Sequence, residues 1–350
     1  MSDYDYLNAR IRGMSTSLLS REFYDQTLGA SAEDVLVDAL LASPYAQELR
    51  DALSTRHGCA AVEAALKSNV QATIAKVRSI APPVPLRLLT LQLNRWDVAN
   101  VLALIRGKLS GASPQDIIDA VLPIGEFNET QLGELAGEVD IPSLAEALTT
   151  WNYTFAFVLR RAILDYFAPA DLPSLETTLQ RTFFDWALDQ LHPDERNQAL
   201  VRDSIRRQID LANIRALLDV VKEREGGREP KGIEPIGRGE LPARVLEELA
   251  GCDTLDSAFE TLEDTYFAPA IEKGILSFGQ THSLAVMERF LEAVVVEHEC
   301  RMFRHDMLGI SVPLGFLWRK YSELANLRIL ARGKAYRMPA NAIREELVLV

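Results

Sequence analysis

Five histidines, three cysteines and 50 acidic residues are the groups from which chemistry could be built in this 350-residue chain. His298-Glu299-Cys300-Arg301-Met302 begins like a zinc-protease helix, but Met302 stands where the second His would have to share the metal. His298 and His305 share a helix face near Glu297, Glu299 and Asp306, and read as a solvated or core-edge pair rather than a metal set. Cys59, Cys252 and Cys300 lack zinc spacing. Gly237-Arg-Gly239 runs on into Glu, Leu and Pro, so the dinucleotide fingerprint fails. Neither a phosphate-cradling Gly-x4-Gly-Lys-Ser/Thr loop nor a Gly-x-Ser-x-Gly elbow occurs. The acid pairs Glu247-Glu248 and Glu345-Glu346 read as solvated faces. No catalytic, cofactor-binding or metal-binding residues are expected, and no small-molecule substrate.

The residues that do recur with regular spacing are of another kind. Asp97-Val-Ala-Asn100-Val, Asp210-Leu-Ala-Asn213-Ile and Glu323-Leu-Ala-Asn326-Leu are spaced by 113 residues, twice over. Further echoes keep nearly the same offset. They include Leu132-Gly-Glu-Leu-Ala-Gly137 with Leu246-Glu-Glu-Leu-Ala-Gly251, Pro123-Ile-Gly125 with Pro235-Ile-Gly237, and Tyr153 with Tyr266. Val62-Glu63-x-x-Leu66, Leu175-Glu176-x-x-Leu179 and Met287-Glu288-x-x-Leu291 form a third series. Such self-similarity marks a triplicated unit. The units are 1–99, 100–212 and 213–350, the last closing on a stub of a fourth at Met338-Pro339, Ile343 and Leu347, which align with Ser113-Pro114, Ile118 and Leu122. Units of this size exceed an ordinary solenoid repeat of roughly 20–50 residues, which points to an arrangement about a common axis.

Asn is a poor residue for a helix interior. Its presence in three helices implies that the amide bridges backbone groups of a neighbouring helix, with the preceding Ala allowing close approach. The acid three residues earlier shares that face and is expected to pair with an Arg of an adjoining unit. Asn100, Asn213 and Asn326 are therefore read as a structural seam, with direct partner contact the less favoured alternative.

Basic residues recur at the chain's opening and after the seams. Arg10 and Arg12, Arg106 and Lys108, and Arg332 and Lys334 stand at helix ends in an otherwise acidic chain. They either offset the negative end of their helix or form a ring of positive charge facing an acidic partner. The middle copy has Asp219-Val220 at the matching positions, with Lys222 and Arg224 just after.

These positions need stiff elements, and the pattern supplies helices. Val98, Val101, Leu102 and Ile105 fall at helical intervals, as do Val62, Ala65, Leu66 and Val70, and Val35, Leu36, Ala39 and Leu40. Pro82, Pro83 and Pro85 read as an extended break before the first seam helix. Arg224 to Pro242 is the longest loop. Strand patterns are rare, so the fold class is all-α. The net charge of −13 argues against nucleic acid as the main partner. The sparse cysteines suggest a reducing compartment. Neither a secretory signal nor a membrane-length apolar run is present; Leu291 to Val296, the longest greasy stretch, contains Glu292.

The opening Tyr6-x-x-Ala-Arg-Ile-Arg12-Gly-Met14, the threefold Ala-Asn helices and the Arg-Gly-Lys ends resemble the C subunit of the A/V-type ATP synthases, a family that includes the d subunit of vacuolar proton ATPases. The resemblance spans the chain. It implies a helical funnel with pseudo-threefold symmetry, cytoplasmic and peripheral to the membrane. Such a funnel rests on the membrane rotor ring of proteolipid subunits and receives the foot of the central stalk with its D/F-type subunits. It implies no active site, but transmission of rotation between ATP chemistry and proton or sodium passage. The departure at Asp219-Val220 implies that one basic corner is altered or supplied by Lys222 and Arg224. The competing expectation is a helical enzyme or regulatory scaffold unrelated to rotary motors.

Overall fold

A computed structural model describes residues 3–29, 33–150, 156–166, 172–229 and 233–349. Every regular element among them is a helix. The chain divides into two compact units, residues 1–89 with 296–350, and residues 90–295.

The first unit opens with α1 (Asp5–Ser15), α2 (Arg21–Gly29), α3 (Glu33–Leu41), α4 (Ala46–Leu53) and α5 (Gly58–Ile80). α6 (Pro83–Ser110) carries the chain into the second unit. That unit continues through α7 (Pro114–Ala120), α8 (Glu129–Gly137), α9 (Ile141–Ala147), α10 (Ala156–Tyr166) and α11 (Leu172–Asp189). α12 (Arg196–Glu225), α13 (Ala243–Gly251), α14 (Leu255–Glu263) and α15 (Ala268–Thr281) follow. α16 (Leu284–His305) leads back, and α17 (Ser311–Ala335) and α18 (Ala340–Glu346) complete the first unit.

Local chemistry sets the boundaries. Ser113 and Asp116 form a reciprocal capping box at the start of α7, with Pro114 in the first turn. Asn128 and Gln131 do the same for α8. Pro83 and Pro85 sit in the first turn of α6, where a missing N–H costs nothing. The proline cluster therefore starts a helix instead of forming the extended break its composition suggests.

The core helix of the first unit is α17. Eighteen of its 25 residues are buried, so it is enclosed on nearly all sides rather than carrying one apolar stripe. It packs on α1, α3, α5 and α18. In the second unit α12 packs on α11, α13 and α14, burying Val201, Ile205, Ile209, Ile214, Leu217, Leu218 and Val221. The seam motifs lie in α6, α12 and α17, and these helices position everything described below.

Candidate functional site: one seam in three copies

Each recurring Asn makes the same two-bond bridge. Asn100 Nδ2 donates to the Leu122 carbonyl at 2.8 Å, and the Leu122 N–H donates to Asn100 Oδ1 at 2.8 Å. Asn213 pairs in this way with Ile236 at 2.8 and 2.7 Å. Asn326 pairs with Val348 at 2.8 and 2.9 Å. A primary amide offers one donor and one acceptor side by side, which matches the two main-chain groups of a single residue. Asp would lack the donor and Leu both groups. The backbone held is not helical, as the motif suggested; it is the stretch just after α7, its counterpart before Gly237, and the stretch just after α18. The preceding alanines do not mediate close approach either: Ala99 is exposed, and Ala212 and Ala325 are half-buried.

The acids three residues upstream hold main chain too. Asp97 accepts N–H bonds from Glu126 at 2.7 Å and Phe127 at 3.2 Å. Asp210 accepts from Glu240 at 2.8 Å and Leu241 at 3.1 Å, and from the Tyr266 hydroxyl at 2.9 Å. Glu323 accepts from the Leu19 N–H at 2.5 Å, the Tyr45 hydroxyl at 2.6 Å and the Lys320 ammonium at 2.8 Å. Phe127, Leu241 and Leu19 each stand two residues before a short helix, α8, α13 and α2. Thus the last copy of the motif holds the beginning of the chain as the first two hold the chain that follows them. Main-chain and hydroxyl donors take the place of the arginine expected for these acids. Burial raises the Asp210 pKa from its ordinary value, opposed by the N–H and Tyr266 donors.

Two glycines make these contacts feasible. A Cβ on Gly125 would lie 2.2 Å from an Asp97 carboxylate oxygen, and one on Gly239 would lie 2.0 Å from Asp210 Oδ1. The equivalence Gly125–Gly239 corrects the sequence register, which paired Gly125 with Gly237 through the shared Pro-Ile-Gly. A second pair, Gly107 and Gly333, lies under Ile117 and Ile343, whose Cγ1 atoms would be 2.5 and 2.6 Å from an added Cβ. It aligns Ile343 with Ile117 rather than Ile118. The middle copy has buried Val220 at this position and no helix among the described residues of 226–242. With no α7-type helix crossing there, a side chain fits.

Most of the basic residues have internal partners. Arg106 grips Glu176 of α11 with two bonds of 2.7 and 2.5 Å. Arg332 binds Glu63 of α5 at 2.6 Å. In the middle copy Arg215, one turn before Asp219, binds Glu292 at 3.0 Å and lies 3.9 Å from Glu288. The glutamates of the third repeated series are thus each approached by a seam-helix arginine. Lys108 donates to the Ala136 carbonyl at 3.1 Å and to the Glu138 carbonyl. Arg224 binds the Ala250 carbonyl at 3.1 Å and the Cys252 carbonyl. These carbonyls close α8 and α13, so each cation compensates the end of a following helix, and Arg224 replaces the missing lysine. Lys334 is buried, which lowers its pKa. Arg12 lies over the Phe303 ring at 5.4 Å. Arg10 is exposed and makes no ion pair among the described residues.

One polar position escaped the sequence reading. Asn94, Arg207 and Lys320 each stand three residues before a seam acid and share its 113-residue spacing. Asn94 donates to Glu126 at 3.1 Å and Arg207 pairs with Glu240 at 3.2 Å. Extending the motif three residues back would have found them, but their differing side chains hide the likeness. His298 and His305 both lie on α16. Among the described residues no group of three or more His, Cys, Asp or Glu could hold a metal. Tyr153, the sequence counterpart of Tyr266, lies outside the described residues.

An all-α protein in which one main-chain-gripping seam recurs three times is defined by how it holds itself together. The chain belongs to the ATP synthase (C/AC39) subunit family, whose model matches residues 7–346. It is 28% identical over 347 residues to the V-type ATP synthase C subunit of Deinococcus radiodurans, covering 99% of this chain and 91% of that protein. It is 26% identical over 351 residues to the A-type ATP synthase C subunit of Methanosarcina mazei, covering 100% and 94%. The A-type ATP synthase C subunit of Methanocaldococcus jannaschii is 21% identical over 348 residues, covering 99% and 87%. Among the described residues no helix is long and apolar enough to cross a membrane.

Proposed function

We propose that this chain is a non-catalytic rotor subunit of an A/V-type rotary ATPase or ATP synthase. It acts as a socket between the central-stalk shaft and the membrane ring of proteolipid subunits, on the cytoplasmic side. There it passes torque between ATP chemistry and the transport of protons or sodium ions. Full-length similarity to the C subunits of V-type and A-type ATP synthases is the observation that carries this reading.

The three seams support the pseudo-threefold funnel with units 1–99, 100–212 and 213–350. Arg95 of α6 binds Gln208 of α12 at 3.3 Å, and these residues are themselves 113 apart. Equivalent positions touch one another only near the axis that relates them. A torque-bearing socket needs stiff walls. Main chain clamped by buried Asn and acid side chains meets that need without any chemistry.

Arg10, Arg12, Arg106, Lys108, Arg332 and Lys334 are proposed to mark the end of the funnel that meets an acidic partner surface. Internal pairing narrows the direct contact towards Arg10, which is exposed. Rim charges of this kind act through long-range attraction and weaken with salt. The test is recovery of the ring and the D/F-type stalk subunits with the tagged chain from solubilised membranes. Arg10→Glu should reduce ring recovery, and rising salt should mimic the loss. Recovery of neither partner would refute the rotor reading. Salt-independent recovery that survives Arg10→Glu and Arg12→Glu would refute the electrostatic contact alone.

A further inference from the structure

Met307 and Leu308 stand side by side in the turn between α16 and α17, 62% and 73% exposed. Two adjacent large apolar side chains gain by leaving water. The fold does not demand them there. The corresponding turn between α11 and α12 exposes His192, Pro193, Asp194 and Glu195, the polar and turn-forming residues of an ordinary surface connection.

The α16–α17 turn is also held stiffly. Asn8 Nδ2 of α1 donates to the Met307 carbonyl and to the Gly309 carbonyl, each at 3.1 Å. Asp306 Oδ1 accepts the Leu308 N–H at 3.0 Å. Gly309 and Ile310, which follow, are buried. Asn8 itself is buried, and its Oδ1 has no hydrogen-bond partner among the described residues. A buried amide oxygen left unpaired costs stability. What the amide gives in return is the pair of donor bonds that fixes the main chain on either side of Leu308. Two exposed cations flank the turn. Arg304 lies in the last turn of α16, three residues before Met307, and Arg10 lies two residues after Asn8 on α1. Neither makes an ion pair among the described residues, in a chain whose net charge is −13. The acid within the turn, Asp306, is engaged with the Leu308 N–H.

We propose that Met307 and Leu308 are the apolar anchor of the contact assigned above to Arg10, and that Arg10 and Arg304 form its basic rim. The proposal rests on the rotor reading. Its occupant is a surface of the membrane ring that is apolar at its centre and acidic around it. Continuity with Arg10 and the unpaired cations on either side of the turn select that surface. The apolar centre supplies affinity that salt does not screen, and the rim supplies attraction that salt does screen. A turn already fixed by Asn8 and Asp306 loses little freedom on docking.

The experiment recovers the ring and the D/F-type stalk subunits from solubilised membranes with the tagged full chain, unaltered or carrying Met307→Ser with Leu308→Ser. Ring recovery should fall at least tenfold. Stalk recovery and the melting temperature should not change, because both side chains face solvent. The loss should persist in high salt, whereas Arg304→Glu should weaken ring recovery in low salt only. Undiminished ring recovery by the Ser pair, or loss of the stalk subunits with the ring retained, would overturn the anchor. The purified chain is also mixed with vesicles of phosphatidylglycerol and phosphatidylcholine, and its mass in solution is measured. Vesicle binding or dimerisation that the Ser pair abolishes would overturn the proposal too, since lipid or a second copy would then be the occupant. These outcomes leave the rotor reading standing. Recovery of neither partner by the unaltered chain would refute that reading and the anchor with it.

Discussion

The two seams within residues 90–295 and the seam of the other unit solve the same problem with different surroundings. All three share the Asn bridge and an acid that holds main chain. In the first two, a glycine presses on an aspartate and a glutamate N–H completes the grip. In the third, the acid is a glutamate, one carbon longer, and a buried lysine and tyrosine replace the second N–H. The difference separates what the seam requires from what merely accompanies it. Side-chain amide to backbone is common to every copy. The short helix that follows is not: α7 and α18 press on Gly107 and Gly333, but the middle copy has Val220 and no such helix among its described residues.

The largest effect should come from breaking the glycine contact of the first two seams. Gly239→Val places a side chain where even Cβ would sit 2.0 Å from Asp210. Main chain or carboxylate must move, with a loss of about 3 kcal/mol or more, the upper end of overpacking costs. Thermal unfolding of the purified chain measures it, and among the described residues no glycine presses on Glu323 in the same way.

A smaller effect sharpens the contrast between Arg-Gly sequences that look alike. Gly107→Ala meets Ile117 at 2.5 Å and should destabilise by about 1–2 kcal/mol. Gly13→Ala, in the helix of the matching opening motif, meets nothing within 4 Å. It should stabilise by roughly 0.5–1 kcal/mol through helix propensity. Denaturant titrations would give opposite signs for the two changes.

The smallest effect is expected at the surface pairs. Arg106 and Glu176 are well formed, but the arginine side chain is 56% exposed. Arg106→Ala should cost under about 1 kcal/mol, and less in high salt. A larger, salt-insensitive loss in chemical denaturation would show that the guanidinium is a structural pin of the wall.

These contrasts also show what could be read from residue order. The 113-residue spacing exposed the triplication because Asn is costly inside a helix and stays only where its amide has work. The helical class followed from apolar spacing on α5 and α6, whose Val62, Leu66, Val101 and Ile105 are buried. Two of the readings that failed did so for a plain physical reason. Pro-Ile-Gly resembled itself locally, yet register is set by which glycine faces the carboxylate, a contact between residues about 30 apart. The acids looked like partners for arginine because charge is visible in sequence, while backbone donors are not. The partners of Arg106, Arg332 and Arg215 were already present as a repeated Glu on α5, α11 and α16. Only the folded chain shows that the two patterns meet.

The central claim is that the recurring Asn holds the protein together and does not itself touch a partner. Its most direct test is Asn213→Leu, read out twice, by thermal melting and by recovery of the partner proteins at low temperature. The substitution strands the buried N–H and carbonyl of Ile236, a cost of about 2–5 kcal/mol. The expected result is a clearly lowered melting temperature with assembly retained while the chain is folded. Unchanged melting together with lost assembly would contradict the account.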